Sequence, residues 1–473
     1  GVRRAVVGRV RAQCGAQRLR AWCLVGLLCG LMVYQGGFFP RTAVWALVAS
    51  GTVVCVGVVL WLFRGGCSAG ENGDSSEHAQ EGLRAYLPSL IPALAFAVIA
   101  LLVVLSAGAH GMPVSQGLIE ASPWLLAALA SSLCATLDER GSAWLLRAIA
   151  WLGVGSAVLG VGMFVDVPFV GGAVTAGRLQ FLFQYANAAG AWFACIALLC
   201  YQLDDARLNR CVIAPLTALL LTQSMGSLLL FVLIVAIGMA LRLGSTRQVD
   251  RRTKLQHELL GACGLMIQGM VAALAFVAFV LIDEAALGMV AFAAGFLAFY
   301  AAWPRIRRFI LKRQHAGVAF VAAILTCLAG VAVLAVAMQQ RIAQAHATFG
   351  ERLAQMQDAW MLLADNPVLG IGPNQWLHIY AGVQSADYES AVVHCGYLQV
   401  GLDAGALAMA LLLGLLVGGV ALAIVHRYRC IWSSLALLAS HAVVDFDLHY
   451  AFFLVLVGIL TTVAFKPKQA KSP

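Results

Sequence analysis

ALAMALLLGLLVGGVALAIV, residues 406–425, is an uninterrupted apolar stretch that is followed within four residues by Arg427 and Arg429. A transmembrane helix needs about 20 apolar residues, so this stretch is long enough to cross a bilayer, and we predict a span over 398–425. The rest of the chain has the same character, because 62% of its 473 residues are hydrophobic, 11% are charged and the mean hydropathy is +0.87. A soluble domain carries roughly 25% charged residues. The composition therefore predicts a polytopic helical membrane protein of the all-α class.

Apolar stretches separated by short polar breaks predict about fourteen transmembrane helices. They are expected at 20–35, 42–63, 86–107, 118–136, 142–164, 184–201, 208–223, 226–242, 258–281, 286–303, 316–338, 398–425, 430–444 and 448–465. Helices 1–11 then occupy residues 1–338, an outer loop occupies 339–397, and helices 12–14 with a cytoplasmic tail occupy 398–473.

The basic residues are distributed asymmetrically between the two sides of this arrangement. All but four of the 31 lysines and arginines fall at the N-terminus or in loops predicted to share its side. The four on the other side are Arg41, Arg178, Arg341 and Arg352. Because basic residues are retained on the cytoplasmic side, both termini are predicted to be cytoplasmic. The net charge of +9 is dispersed over separate loops, which excludes a nucleic-acid-binding surface.

The outer segment 339–397 is too long for a plain connector, and long loops of this kind usually carry function. Within it Phe349, Leu353, Met356, Trp360 and Leu363 recur at spacings of three and four residues, which predicts an amphipathic helix at the membrane interface. A second stripe on the same period is polar: Arg341, Gln344, Thr348, Arg352 and Gln355. The interfacial helix should therefore present its arginines on one face.

The outer arginines are candidates for anion binding, because a guanidinium offers a planar fork of donors that fits phosphate oxygens. The alternative for each is an arginine that anchors the outer interface. Arg341 lies beside the end of a predicted span, so we favour the interface-anchoring role for it. Arg352 suits either role, and Arg178 lies beside the membrane surface in a glycine-rich approach, which makes a lipid-phosphate contact plausible.

His394 is the candidate general base, because it lies where the outer loop meets the next span and an imidazole can take a proton near neutral pH. A structural histidine is the more frequent alternative. His441 and Asp445 are four residues apart, so on a helix they could pair, with a polar cap of the span as the alternative.

Several kinds of site are excluded. The thirteen cysteines include no CxxC pair and no Cys/His cluster with zinc-like spacing. The sequence also lacks a P-loop, a Gly-x-Ser-x-Gly elbow and a His-Glu-x-x-His motif, which argues against an ATPase, a serine hydrolase and a zincin. We predict no metal and no cofactor.

Four motifs together resemble the O-antigen ligase and O-antigen polymerase superfamily. They are Gly177 to Asn187 (GRLQFLFQYAN), Arg352 to Gly372 (RLAQMQDAWMLLADNPVLGIG), His394 to Gly405 (HCGYLQVGLDAG) and His441 to His449 (HAVVDFDLH). They occur in the family's order over a little more than half of the chain. Each motif is weak by itself, and the order around one long outer loop gives the resemblance its specificity.

The resemblance implies a polysaccharide-biosynthesis enzyme of the cell envelope, in the bacterial cytoplasmic (inner) membrane. Such an enzyme transfers a glycan from undecaprenyl pyrophosphate to an acceptor hydroxyl at the extracytoplasmic face, without a metal. The resemblance makes Arg178 and Arg352 pyrophosphate ligands and His394 the general base. Secondary site candidates are Asn187, Asp403, His441 and Asp445.

The chain also departs from the family pattern. Met225 stands where the family has an arginine in Ser-Arg-Gly, so one expected cation is missing, and Arg341 could replace it. Cys395 and Asp403 stand where the family has Asn and Glu.

Alternatives remain open within and beyond this class. The acceptor could be a lipid core, a growing polysaccharide or a protein hydroxyl, the last making the enzyme a protein O-oligosaccharyltransferase. Many spans would also suit a polysaccharide transporter or flippase, although charges in mid-span are almost absent here. Because Met225 replaces the arginine of the family, a non-catalytic subunit of a polysaccharide assembly complex is a further alternative.

Overall fold

The structure, a computed structural model, is built almost entirely of α-helices. It describes residues 2–63, 87–165, 172–244, 251–280, 282–312 and 338–467, with isolated positions between 321 and 336. The helices are α1 Val2–Val33, α2 Pro40–Phe63, α3 Ile91–Ala109, α4 Val114–Ala135, α5 Glu139–Phe164, α6 Ala186–Gln202, α7 Ile213–Thr222, α8 Met225–Gly244, α9 Arg251–Val280, α10 Ala285–Lys312, α11 Gln339–Asp365, α12 Trp376–Val383, α13 Gly396–Ala404, α14 Ala406–Val425, α15 Arg429–Val444 and α16 Ala451–Phe465. A two-stranded antiparallel hairpin, β1 Val174–Thr175 and β2 Arg178–Leu179, precedes α6.

Eight helices within the described residues are long and apolar enough to cross a membrane. They are Gly15–Val33, Leu87–Ala109, Val114–Ala135, Glu139–Phe164, Met225–Arg242, Leu260–Val280, Ala285–Arg308 and Ala406–Val425. The prediction of a polytopic helical membrane protein is therefore confirmed. The count of about fourteen spans and the N-in/C-in orientation stay predictions, and the span predicted at 316–338 lies largely outside the described residues.

The chain forms two compact units. Unit 1 comprises Gly1–Ala148, Arg352–Leu435 and Ala442–Pro473. Its central helix is α16, in which every residue from Ala451 to Ala464 is buried, and α16 packs against α4 and α14. A helix that is apolar on all sides lies in a core. Gly458 allows close approach to α4, because a Cβ there would lie 2.6 Å from Ser131 Oγ.

Unit 2 comprises Ile149–Glu351 and Ala436–His441. Its central helix is α6, buried along almost its whole length and packed against α7 and α8. Gly190 on α6 faces Ser224 and Ser227, which leave no room for a larger side chain. The break that the sequence predicts at 223–226 is confirmed: α7 ends at Thr222, Gln223 has φ +51°, and α8 begins at Met225.

Two predicted spans differ from the observed helices. The span at 398–425 is interrupted at Gly405, which separates the nine-residue α13 from α14, so the membrane-spanning part is Ala406–Val425. Hydropathy alone does not resolve this break, because Ala404 and Ala406 continue the apolar pattern. The span at 208–223 begins with a 3₁₀ turn at Leu208–Arg210, and the α-helical part is only ten residues long.

The amphipathic helix predicted in the outer loop is confirmed as α11. Its apolar stripe is largely outward-facing, since Leu353 and Trp360 are 47% and 55% exposed. The opposite face is buried within unit 1, where Gln355 and Asp358 are each 1% exposed. The face that α11 presents to the protein is therefore mixed, because Ala359 and Leu363, at 0% and 3% exposure, are buried on the same helix as Gln355 and Asp358.

A substitution at Gly405 tests whether the break between α13 and α14 depends on the backbone conformation of this residue. Its φ of +90° and ψ of 169° suit glycine almost exclusively, and a Cβ would collide with the carbonyl oxygen of Val368. We expect Gly405→Ala to lower the free energy of unfolding by more than about 2 kcal/mol. The matched control is Gly414→Ala in α14, where no atom lies within 4 Å of the added Cβ. Thermal unfolding in detergent measures both, and equal stability of the two variants would contradict the account.

Candidate functional site

Arg352 connects the buried face of α11 to the end of α15. Its Nη1 donates to the carbonyl oxygen of Val444 at 2.6 Å and to Oδ2 of Asp445 at 3.2 Å. The Asp445 side chain is 1% exposed and that of Arg352 is 19% exposed. Asp445 also accepts from the backbone N–H of Phe446 through Oδ1 at 2.9 Å. Removing one partner of such a buried pair leaves an uncompensated charge, so the two side chains hold each other in place.

The backbone changes conformation at Asp445. α15 ends at Val444, and Asp445 has an extended backbone with φ −154° and ψ 170°. Asp445 forms an ion pair with Arg352. The pair with His441 that i, i+4 spacing predicts stays a prediction.

His394 lies in the segment that leads into α13 and is half-buried. Its Nδ1 is 3.0 Å from Oε1 of Gln355 and 3.2 Å from Oγ of Ser390, and its backbone N–H donates to the same Oε1 at 2.9 Å. The ring of Phe446 packs against the imidazole at 5.1 Å, with the planes inclined at 74°. We call Arg352, Gln355, Ser390, His394 and Asp445 the histidine cluster.

The electrostatics of the histidine cluster favour a neutral imidazole. Burial lowers the pKa of His394, Arg352 lowers it further and Asp445 opposes them, with the result that the pKa falls from 6.5 to about 4. A neutral imidazole can accept a proton at physiological pH, which is the state that a general base requires.

Asp403 belongs to a second group of polar residues in unit 1. Its Oδ1 accepts from Nε2 of Gln399 at 2.9 Å and from the backbone N–H of Asn374 at 3.3 Å. Asn374 also hydrogen-bonds Glu120 on α4 through its side chain. The carboxyl groups of Asp403 and Glu120 both line a cavity of about 40 Å³, which is large enough for water. Asp403 thus fixes the 370–374 turn to α13.

Arg178 and Asn187 contact each other in unit 2. The hairpin turns at Ala176 and Gly177, both with positive φ, and places Arg178 on β2. Nε of Arg178 donates to the carbonyl oxygen of Thr222 at 3.0 Å, and Nη2 donates to Oδ1 of Asn187 at 3.1 Å. Arg178 is therefore held against the C-terminus of α7, a position that carries partial negative charge.

His441 is buried beside the break between α7 and α8 in unit 2. Its Nε2 is 2.9 Å from Oγ of Ser227, which is 2.9 Å from Oγ of Ser224. All three side chains are almost fully buried, so they form a structural polar contact within the unit. Met225 follows Ser224, and Arg341 lies in the first turn of α11.

Of the residues singled out from the sequence, unit 1 brings together Arg352, His394 and Asp445, and unit 2 brings together Arg178 and Asn187. Sequence reasoning assigned no role to Gln355, Ser390, Glu120 or Ser227. Gln355 carried a usable signal, because it lies three residues after Arg352 on the same polar stripe of a helix. Ser390 contacts residues only two and four positions away, but it lies in a segment without regular structure, which spacing does not predict. The contacts of Glu120 with Asn374 and of Ser227 with His441 join segments far apart in the chain.

Comparison with known families gives one match. Residues 270–413 match the family model described as O-antigen ligase. The resemblance to the O-antigen ligase superfamily is confirmed over this part of the chain. A search of curated proteins finds no match. Arg341, Arg352, His394 and Asp403 lie inside the matched segment, whereas Arg178, Asn187, His441 and Asp445 lie outside it.

The O-antigen ligase match supports, in general terms, a membrane glycosyltransferase-like enzyme with a glycan donor and an acceptor. With the eight apolar helices it points to a multi-pass membrane protein.

The pH dependence of protein stability tests the buried environment of Asp403. Burial raises its pKa from 3.8 to about 7, opposed by hydrogen bonds from Gln399 and Asn374 and assisted by Glu120. α13 lies outside the candidate spans. Between pH 4 and 7 the unfolded carboxyl is ionised while the folded one keeps its proton, so stability falls as pH rises through this window. We expect Asp403→Asn to remove this contribution.

The measurement is the unfolding temperature in detergent at pH 5 and pH 8. The wild-type temperature should fall over this interval by a few degrees more than that of Asp403→Asn, roughly as expected from the lost protonation free energy. Asp387→Asn, at an exposed position in the same outer segment, is the matched control and should follow the wild type. Parallel curves for all three proteins would contradict the raised pKa.

Proposed function

We propose that this protein is an extracytoplasmic glycan ligase or polymerase. It transfers a sugar chain from undecaprenyl pyrophosphate to an acceptor hydroxyl at the outer face of the bacterial cytoplasmic membrane. The observation that supports the proposal is the half-buried imidazole of His394, held by Gln355 and close to Arg352, in the segment that matches the O-antigen ligase family.

The chemistry assigned to His394 is general-base catalysis. The acceptor hydroxyl oxygen forms a bond to the anomeric carbon of the donor sugar, and the bond from that carbon to the pyrophosphate oxygen breaks. The pyrophosphate leaves with the bonding electron pair, and the hydroxyl proton moves to His394. The imidazole must be neutral to accept this proton, and charge developing on the leaving group needs cations nearby.

Arg352 is the proposed pyrophosphate ligand in the histidine cluster. Its guanidinium is oriented by Val444 and Asp445, and pre-oriented cations are among the larger contributions to transition-state stabilisation. A pyrophosphate is already a good leaving group, so guanidinium groups can take the place of a metal. The resemblance extends the same role to Arg178, and to Arg341 in place of the missing arginine at Met225. The roles of Arg178 and Arg341 are proposed from the resemblance alone.

The acceptor is a glycan, lipid or protein hydroxyl, and the partners are the lipid-linked donor and membrane lipids. The interfacial helix α11 fits this substrate, because Leu353 and Trp360 are exposed on one face while Arg352 and Gln355 face the protein. An apolar face at the membrane surface would keep the histidine cluster at the depth of the donor's pyrophosphate.

The experiment is glycan transfer in membranes with defined lipid-linked donor, with and without a divalent-metal chelator. We expect His394→Gln to lower the rate by about 10²–10⁴-fold, the usual contribution of a general base, and chelator to have no effect. Arg352→Gln should also lower the rate, with a loss of donor affinity. His378→Gln is the matched control, since His378 is exposed on α12 in the same outer segment.

Two results would overturn the proposal. Full activity of His394→Gln would remove the general-base role, and loss of wild-type activity with chelator would remove the metal-independent mechanism. Movement of lipid-linked glycan across vesicle membranes without covalent transfer would favour the transporter alternative.

A further inference from the structure

Gln355 is a buried amide whose two ends are both used. It lies on α11, is 1% exposed, and contacts the segment that runs from Val392 to His394. Nε2 donates to the carbonyl oxygen of Val392 at 3.3 Å, and Oε1 accepts from the backbone N–H of His394 at 2.9 Å. The amide thus connects α11 to the segment that carries the histidine.

These two backbone contacts fix which end of the amide is oxygen. A backbone N–H can only donate and a carbonyl oxygen can only accept. The atom facing the His394 N–H must therefore be Oε1, and the atom facing the Val392 carbonyl must be Nε2. The usual ambiguity in the orientation of a glutamine side chain does not arise here.

The same Oε1 lies 3.0 Å from Nδ1 of the His394 ring. An amide oxygen cannot donate, so the proton in this contact belongs to Nδ1. The second neighbour of Nδ1 agrees with this assignment. Ser390 Oγ donates its single proton to the carbonyl oxygen of Val392 at 2.6 Å, and it therefore accepts from Nδ1 at 3.2 Å.

We infer that Gln355 is a positioning residue that holds His394 in the tautomer with the proton on Nδ1 and the lone pair on Nε2. The catalytic meaning of this tautomer rests on the proposed function, in which Nε2 takes the proton from the hydroxyl of the glycan acceptor. Ser390 assists, and the charged groups around the imidazole are Arg352 and Asp445.

The consequence for catalysis follows from proton position. With Nδ1 protonated, Nε2 can act as a base, and after it takes a proton the Nδ1–H···Oε1 hydrogen bond still orients the imidazolium. Without Gln355 the neutral ring can populate the other tautomer, in which Nε2 carries the proton. Loss of a group that orients a functional imidazole typically costs about 10–100-fold.

The direct test is ¹⁵N NMR of the full-length protein labelled at histidine, with the His394 signals assigned by their loss in His394→Gln. In the wild type at pH 7 we expect Nδ1 to resonate as a protonated nitrogen and Nε2 as an unprotonated one. In Gln355→Ala both signals should move toward the average of the two tautomers. A wild-type spectrum with the proton on Nε2 would overturn the inference, whatever the activity.

The kinetic test compares Gln355→Ala, Gln355→Glu and Gln357→Ala. Gln357 is exposed on the same helix and is the matched control. We expect Gln355→Ala to lower kcat by about 10–100-fold with little change in KM for the donor. Gln355→Glu keeps an acceptor oxygen for Nδ1–H, so it should recover part of kcat and move the acid limb of the pH–rate profile upward, because a carboxylate favours the imidazolium.

These readouts separate the positioning role from the function of the site. If the NMR spectrum shows the assigned tautomer while His394→Gln retains activity, the proposed function fails and the positioning role stands. If His394→Gln is inactive while Gln355→Ala keeps the wild-type tautomer and kcat, the positioning role fails and the function stands. Equal losses of kcat in Gln355→Ala and Gln355→Glu, with an unchanged spectrum, would indicate a purely structural residue and contradict the inference.

Discussion

The hydrogen bonds that Gln355 Oε1 accepts from the backbone and ring of His394 are the contacts on which the candidate site depends. They hold the histidine against α11, and Arg352, one turn earlier on the same helix, is held by Val444 and Asp445. One helix face therefore positions both the proposed base and the proposed cation. The helix can do this because its polar stripe faces the protein and Leu353 and Trp360 face outward. In a water-soluble protein the more usual arrangement is the opposite one.

The matched segment and the geometry support different parts of the account. The O-antigen ligase match covers 270–413 and supports the class of protein. The geometry within unit 1 explains how Arg352 and His394 acquire defined orientations and why the pKa of His394 is lowered. Because Met225 stands where the family pattern has an arginine, this chain has one basic residue fewer than expected at the proposed site. The oriented guanidinium of Arg352 nevertheless favours a catalytic role over that of a non-catalytic assembly subunit.

The sequence predicted the helical membrane class, the α7–α8 break and the amphipathic α11, because hydropathy and residue period are local properties. It did not predict the break at Gly405, since a glycine between alanines leaves the hydropathy pattern intact and only the collision of a Cβ with Val368 reveals the constraint. It named Arg352, His394 and Asp445 but not the ion pair between Arg352 and Asp445, because these two residues are 93 positions apart in the chain. The polar stripe included Gln355, but its contacts with Val392 and His394 could not be predicted, since these partners are 37 to 39 residues away in the chain.

The central claim is that the anionic part of the donor meets Arg352 while Nε2 of His394 faces the reacting carbon. The most direct measurement is a cryo-electron microscopy structure of the full-length protein in nanodiscs with a non-reactive phosphonate analogue of the lipid-linked donor. We expect the phosphonate oxygens within hydrogen-bond distance of the Arg352 guanidinium, and Nε2 of His394 facing the anomeric carbon with room for one hydroxyl oxygen between them. An analogue bound away from Arg352, or a His394 whose Nε2 donates a hydrogen bond to the protein, would contradict the account.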